Sequence, residues 1–187
     1  MSLLIIDVFD SFTYNLVHIC KKHVEHVDVI RVNQVNIKQL DKYQKIIISP
    51  GPGVPSDYPV LFDVLKTYDS YKSILGICLG FQVIGLYYGG SLYNLNKVMH
   101  GKKSLIRKVF SSDYIYEGVP TNFLVGRYHS WGIKLQDENK LMITGKDLKE
   151  CIMSFKHQKN NIIGIQYHPE SILTKYGELI IRNWLNN

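Results

Sequence analysis

A cysteine bounded by glycines lies where a buried strand is predicted to give way to a helix. Residues 76–80 read GICLG, at the end of the apolar run 73–77 and before a helical pattern over 81–88. A nucleophile on a sharp strand-to-helix turn takes strained backbone angles, and small residues on both sides make room for the close chain approach. The N–H groups that begin the helix would stabilise a thiolate. The pattern predicts that Cys78 is a nucleophile.

A cysteine nucleophile needs a base, and residues 168–170, which read HPE, offer one directly after the predicted strand 162–167. Alternate residues of an extended chain project to the same side, so the Glu170 carboxylate can hold the His168 imidazole in one tautomer. We therefore expect His168 to be the base and Glu170 its orienting acid. His129 also ends a predicted strand and is the alternative base, but no carboxylate follows it closely.

Acyl transfer from an amide builds negative charge on oxygen, which two N–H donors must stabilise. The Leu79 N–H is one candidate, because it follows the nucleophile. The other lies in residues 50–53, which read PGPG after a predicted strand, and we favour Gly53. A rigid turn without function is the alternative interpretation of this loop. No phosphate-binding glycine motif and no paired metal-ligand motif is present, so we expect neither a nucleotide nor a metal site.

The order of predicted elements indicates an α/β fold with an open, mostly parallel central sheet flanked by helices. Apolar strands at 3–8, 27–32, 45–49 and 73–77 alternate with helices at 14–23, 58–68 and 81–88. The second half is expected to add antiparallel strands at 103–110, 122–131, 133–136, 141–144, 151–156 and 162–167, with polar turns at 136–139 and 157–161. A helix at 174–185 ends the pattern. We expect one domain over residues 1–187.

The composition predicts a soluble, cytoplasmic protein. The net charge of +6, from 22 basic and 16 acidic residues, is spread along the chain and does not predict nucleic-acid binding. The apolar runs are too short to span a membrane. Three widely spaced cysteines fit reduced thiols, and we expect Cys20 and Cys151, in plain helical and strand patterns, to be structural.

These motifs together resemble the class I (triad) glutamine amidotransferases. Within that family, residues 10–15 (DSFTYN), 99–102 (MHGK), 127–130 (RYHS) and 168–174 (HPESILT) are similar to the glutaminase subunits of anthranilate synthase and aminodeoxychorismate synthase. The resemblance spans about residues 3–184. Phe81, Val8-Phe9 and Trp131 depart from the usual His, Asn-Tyr and Leu of the family.

The resemblance implies a catalytic triad at Cys78, His168 and Glu170. It further implies contacts with L-glutamine, or with the oxyanion formed from it, by Gly51, Pro52, Gly53, Leu79, Gln82, Ser130 and Trp131. Ammonia would pass to a chorismate-binding synthase subunit, with residues 99–102 and 127–130 toward that partner. The implied subunit has no cofactor of its own, whereas the partner synthase would depend on Mg²⁺.

Three alternatives remain open on the sequence. The product could belong to the tryptophan branch (anthranilate) or the folate branch (aminodeoxychorismate), or one subunit could serve both. The chain could instead supply a GMP, CTP or carbamoyl-phosphate synthetase, although residues 99–102 and 168–174 favour a chorismate enzyme. A non-catalytic scaffold is the third possibility, and the intact Cys78 and His168 argue against it.

Overall fold

The computed structural model describes residues 1–109, 113–136 and 140–187. In these ranges nine strands form one sheet, with helices packed on both faces. The strands are β1 Ser2–Asp7, β2 His26–Arg31, β3 Lys45–Ile48, β4 Ser73–Ile77, β5 Ser91–Lys108, β6 Asn122–Lys134, β7 Leu141–Asp147, β8 Ile152–His157 and β9 Ile162–Ile165. The helices are α1 Thr13–Lys21, α2 Pro59–Tyr68, α3 Leu79–Tyr87 and α4 Gly177–Asn186. Within the described ranges, no helix is long and apolar enough to cross a membrane.

The strand order of the sheet is β2-β1-β3-β4-β9-β8-β7-β5-β6. The first five of these strands pair in parallel, and the other four are added antiparallel. The predicted fold class, an open and mostly parallel sheet flanked by helices with antiparallel additions from the second half, is therefore confirmed. Because parallel strands end at one edge, the segments that follow β1, β3, β4 and β9 meet there.

The parallel strands are apolar because helices cover both of their faces. In β1, Leu3 and Ile5 pack in the core shared with α1 and α4, whereas Leu4 and Ile6 pack in the core shared with α2 and α3. Alternate side chains of a strand point to opposite faces, so a strand buried on both sides reads as a continuous apolar run. Two cores thus hold the sheet edge that carries the site.

The antiparallel half differs from the sequence prediction in the extent of its strands. β5 begins at Ser91, far ahead of the predicted start at residue 103, and β6 continues through Gly132, where a break between two strands was expected. Gly132 faces Tyr93 of β5, and a Cβ atom at Gly132 would lie only 2.6 Å from the Tyr93 ring. This glycine therefore marks a close cross-strand approach and not the end of a strand. The predicted end of a strand at residue 110 and residues 137–139 of the turn predicted at 136–139 lie outside the described residues.

The last elements are shorter than predicted. β9 ends at Ile165 and not at Tyr167, and α4 begins at Gly177 and not at Thr174. Thr174 lies in the turn before α4, where its hydroxyl bridges two backbone groups: it donates to the His168 carbonyl at 2.6 Å and accepts from the Gly126 N–H at 2.9 Å. Hydrogen bonds therefore fix the segment between β9 and α4, which is a turn that contains His168.

Candidate active site

The nucleophile candidate Cys78 lies on the strained turn that its sequence predicts. It joins β4 to α3 with φ 51° and ψ −96°, a backbone conformation that is costly for any residue other than glycine. A Cβ atom at Gly76 would lie 2.4 Å from the Gly80 carbonyl oxygen, and one at Gly80 would lie 2.4 Å from the Ile48 carbonyl oxygen. Both glycines are therefore required for the turn to pack against itself and against β3.

His168 reaches the same edge of the sheet through the pairing of β9 with β4. Ile77 is in register with Ile165, and the Cys78 N–H donates to the Ile165 carbonyl at 2.9 Å, so the two chain segments leave the sheet side by side. The His168 N–H then donates to the Gly126 carbonyl at 3.0 Å. Together with the Thr174 bridge, this bond fixes the backbone of His168 between β6 and the turn that precedes α4.

His168 and Glu170 form a buried hydrogen-bonded pair. The His168 Nδ1 lies 2.6 Å from the Glu170 Oε1, and 2% and 7% of these two residues are exposed. The His168 Nε2 is buried and has no hydrogen-bond partner of standard geometry among the described residues. Burial alone lowers the pKa of the imidazole, but the nearby Cys78 sulfur and the Glu170 carboxylate raise it by more, so the pKa lies well above its usual value. An imidazolium that faces the sulfur is thereby favoured.

Among the described residues, the N–H groups of the two proposed oxyanion donors have no backbone acceptor. Leu79 is the first residue of α3, so its N–H has no partner inside the helix. Gly53 has φ +74°, and within the described ranges its N–H donates to no backbone acceptor. A Cβ atom at Gly51 would lie 2.4 Å from the Val8 carbonyl oxygen, so this glycine lets the loop at 50–53 pack against the end of β1. Pro52 and Gly53 are exposed beside it.

The other predicted glutamine contacts lie on α3 and β6. Gln82 is buried, and its side-chain Nε2 donates to the Trp131 carbonyl at 3.1 Å and to Gln166 Oε1 at 3.3 Å. Both amide hydrogens of Gln82 are thus used inside the protein, which leaves only its oxygen for a ligand. Ser130 and Trp131 are half-buried in β6.

Gln166 is a polar residue of this site that the sequence interpretation missed. Its side chain is fully buried, and its Nε2 lies 3.6 Å from the Cys78 Sγ. A glutamine inside the apolar run 162–167 was the available signal, because buried amides need specific partners.

His129, the alternative base, is engaged elsewhere. Its Nε2 accepts a hydrogen bond from the Arg127 Nε at 3.0 Å, and its Nδ1 lies 2.8 Å from the Trp131 carbonyl oxygen, so the ring is neutral with the proton on Nδ1. Burial and the positive charge of Arg127 lower the pKa of His129 to about 3. An imidazole with both nitrogens occupied and so low a pKa is not placed to exchange protons with Cys78.

The remaining cysteines have the surroundings of structural residues. Cys20 belongs to α1 and is buried in the core, and this burial raises the pKa of its thiol to about 12. Cys151 is half-buried before β8, and its backbone N–H donates to Asp147 Oδ1 at 2.9 Å. Among the residues that the structure describes, no group of three or more His, Cys, Asp or Glu side chains could hold a metal ion.

Phe81, one of the departures from the family pattern, lies in the core shared with α2 and α3. Phe81 is fully buried and stacks on Phe155 of β8, with ring centroids 4.5 Å apart and an interplanar angle of 24°. Position 81 is therefore a core position between α3 and the sheet. Val8 is also fully buried, whereas Phe9 is about half exposed and has φ 59°.

Comparison with known proteins defines the class of this protein. The model of the family described as glutamine amidotransferase class-I matches residues 4–187. The chain belongs to this family.

Individual relatives narrow the class further. A Haemophilus influenzae protein, provisionally named anthranilate synthase component II, is 43% identical over 186 residues, which cover 99% of this chain and 96% of that protein. Anthranilate synthase component 2 of Pyropia yezoensis is 41% identical over 188 residues, with 98% of each chain covered. A crystal structure of a Thermoplasma acidophilum protein, provisionally described as part of a GMP synthase, shares the fold with a TM-score of 0.89 at 20% identity and covers 100% of this chain and 92% of that chain. The resemblance expected from the motifs is confirmed.

Proposed function

We propose that this chain hydrolyses the side-chain amide of L-glutamine and supplies ammonia to a chorismate-using synthase subunit, as component II of an anthranilate synthase in tryptophan biosynthesis. The observation that carries the proposal is the buried His168–Glu170 pair beside the strained Cys78 turn. The names of the two relatives at 43% and 41% identity support the tryptophan branch.

In the proposed reaction, the Cys78 thiolate attacks the amide carbon of glutamine, and the N–H groups of Leu79 and Gly53 stabilise the oxyanion. The His168 imidazolium protonates the departing nitrogen, which leaves as ammonia and gives a glutamyl thioester. Neutral His168 then takes a proton from water, and the hydroxide attacks the thioester carbon. Glutamate leaves as the C–S bond breaks, which restores thiolate and imidazolium, while Glu170 holds the ring.

The raised pKa of His168 suits this sequence of steps. An imidazole whose pKa lies well above its usual value is already protonated when the amide nitrogen must leave. In the proposed substrate site, Gly51, Pro52 and Gly53 line one side and Gln82, Ser130 and Trp131 the other. Hydrolysis by these groups requires no cofactor or metal from this subunit, and any Mg²⁺ would serve the synthase partner.

The proposed organisation is one amidotransferase domain over residues 1–187 that binds a separate, larger synthase subunit in the cytoplasm. The experiment that tests the function measures synthesis by the complex from chorismate with either glutamine or an ammonium salt. We predict that Cys78→Ala abolishes the glutamine-dependent reaction and leaves the ammonium-dependent one unchanged, because only ammonia production uses the sulfur.

Cys151→Ser is the matched control and should keep both activities, since Cys151 lies just before β8 and not at the Cys78 turn. Equal loss of both activities in Cys78→Ala would contradict the assignment. The product distinguishes the branches: anthranilate supports the proposal, and aminodeoxychorismate would move the subunit to folate biosynthesis.

A further inference from the structure

Gln166 lies directly beside the nucleophile because of the strand register. Ile77 of β4 pairs with Ile165 of β9, so the next residues of the two strands, Cys78 and Gln166, leave the sheet together. The Gln166 Nε2 lies 3.6 Å from the Cys78 Sγ, within hydrogen-bonding range for sulfur. The Gln166 side chain is fully buried, so it does not exchange this contact for water.

The orientation of the Gln166 amide follows from its neighbours. The Trp131 backbone carbonyl can only accept hydrogen bonds, and the Gln82 Nε2 lies 3.1 Å from it, which fixes the Gln82 amide. The second hydrogen on the same Nε2 points to Gln166 Oε1 at 3.3 Å. The Gln166 oxygen therefore faces Gln82, and its NH₂ group faces the sulfur as a donor.

A buried chain of hydrogen-bonded polar groups stabilises this orientation of the Gln82 and Gln166 amides. His129 Nδ1 donates to the same Trp131 carbonyl at 2.8 Å, and the Arg127 Nε donates to His129 Nε2 at 3.0 Å. The Arg127 Nη1 is in turn paired with Asp147 Oδ2 at 2.6 Å. Turning any amide in this chain would leave a buried donor or acceptor unpaired, which costs about 1–3 kcal/mol. The chain starts at an ion pair and ends at the Cys78 sulfur.

We propose that Gln166 is a further catalytic residue, whose side-chain N–H donates to the Cys78 sulfur and holds it as a thiolate for attack on the amide. The inference rests on the proposed function of Cys78. No bond to Gln166 is made or broken. Its hydrogen bond is strongest to the charged sulfur and weakens when the thioester forms, so it also favours departure of the thiolate when water releases glutamate.

Thiol reactivity tests this role without glutamine or a partner. The purified chain is alkylated with iodoacetamide from pH 5 to pH 10, and modification of the Cys78 peptide is followed by mass spectrometry. In Gln166→Leu we expect the midpoint of the pH profile to rise by about one unit, which is about tenfold less thiolate at a given pH below the midpoint. Gln166→Glu should shift the midpoint further, because a carboxylate replaces the donor. The exposed Gln34→Leu is the control and should keep the wild-type profile.

A second variant distinguishes the hydrogen bond of Gln166 from a general effect of its replacement on the structure. Gln82→Leu leaves Gln166 in place but frees its amide to turn, and we expect a shift in the same direction that is smaller than that of Gln166→Leu. Unchanged midpoints in Gln166→Leu, Gln166→Glu and Gln82→Leu, each shown by circular dichroism to be folded, would overturn the proposal. Should the wild-type complex fail to use glutamine while these shifts occur, the proposed function fails and the interaction of Gln166 with the sulfur stands.

Discussion

Two buried histidines, one inside β6 and one in the segment after β9, have opposite protonation behaviour in this protein. His168 and His129 are 2% and 6% exposed, so desolvation lowers the pKa of both. The net pKa of His168 nevertheless lies well above the usual value, whereas that of His129 is lowered to about 3. Burial is the largest contribution to the low pKa of His129, whereas for His168 the neighbouring charges outweigh it.

The sign of the charges around each ring separates the two sites: the Cys78 sulfur and the Glu170 carboxylate raise the pKa of His168, whereas the Arg127 guanidinium lowers that of His129. Glu170 lies two residues after His168 and accepts from its Nδ1, whereas Arg127 lies two residues before His129 and donates to its Nε2. Arg127 and His129 share one side of β6 through the alternation of a strand, whereas His168 and Glu170 meet in a turn in which the Ser171 N–H donates to the His168 carbonyl at 3.3 Å. A carboxylate there favours a protonated ring suited to acid–base catalysis, and a guanidinium favours a neutral ring suited to structure.

The largest expected effect comes from replacing each histidine in turn. His168→Gln should lower the glutamine-dependent rate of the complex by at least about a thousandfold, because it removes the proton carrier. His129→Gln should lower it by about tenfold or less, through a looser polar chain behind Cys78. Rates with glutamine and with an ammonium salt give the measurement. A loss at residue 129 as large as that at residue 168 would remove the distinction between the two sites.

The second prediction concerns the ion pair between Asp147 and Arg127, the residue that donates to His129. Arg127 and Asp147 are both buried, so Arg127→Met leaves the Asp147 carboxylate uncompensated and should lower the free energy of unfolding by about 3–5 kcal/mol. The pKa of His129 should rise in this variant because the repelling charge is gone. Urea unfolding and an NMR titration of the His129 ring measure the two effects.

The matched control for that variant is Arg107→Met. Arg107 is paired with Glu150 at 3.1 Å, but both side chains are more than half exposed. Solvent screens such a pair, so the expected change in stability is about 1 kcal/mol or less. Equal destabilisation by Arg107→Met and Arg127→Met would show that burial of the Arg127–Asp147 pair is not what matters.

The local features of the candidate site could be predicted from the sequence because they depend on short spacings. The turn at Cys78 needs small residues two positions before and after the nucleophile. The His168–Glu170 pair joins side chains only two residues apart, although it forms in a turn and not in the extended chain that was expected. The long strand β5 could not be predicted, because all of its residues before 103 are half-buried or exposed. Such a strand lacks the apolar alternation from which strands are recognised.

Contacts between residues that are far apart in the chain could not be predicted from the sequence. Gln166 contacts Cys78 and Gln82, which lie 88 and 84 residues earlier, and these contacts depend on the register between β4 and β9. The stacking of Phe81 on Phe155 likewise depends on how α3 packs on the sheet. A register is set by the whole hydrophobic pattern and not by a local motif, so these partners emerge only from the folded chain.

The smallest expected effect is a dependence of stability on pH that His129 contributes. Its pKa is about 3 in the folded chain and about 6.5 when unfolded, so below about pH 6.5 the unfolded chain takes up a proton that the folded chain does not. The stability contributed by neutral His129 is therefore present above about pH 6.5 and is lost as the pH falls toward 3. Between pH 7 and pH 5 the loss should be about 2 kcal/mol. His168, whose folded pKa is raised, contributes in the opposite direction.

The measurement is thus the difference in slope between the wild type and His129→Gln in urea unfolding at several pH values. His26→Gln, at an exposed position, should keep the wild-type slope. A His129→Gln slope equal to the wild-type slope would mean that folding does not lower the pKa of His129, and the contrast between the two histidines would then be wrong.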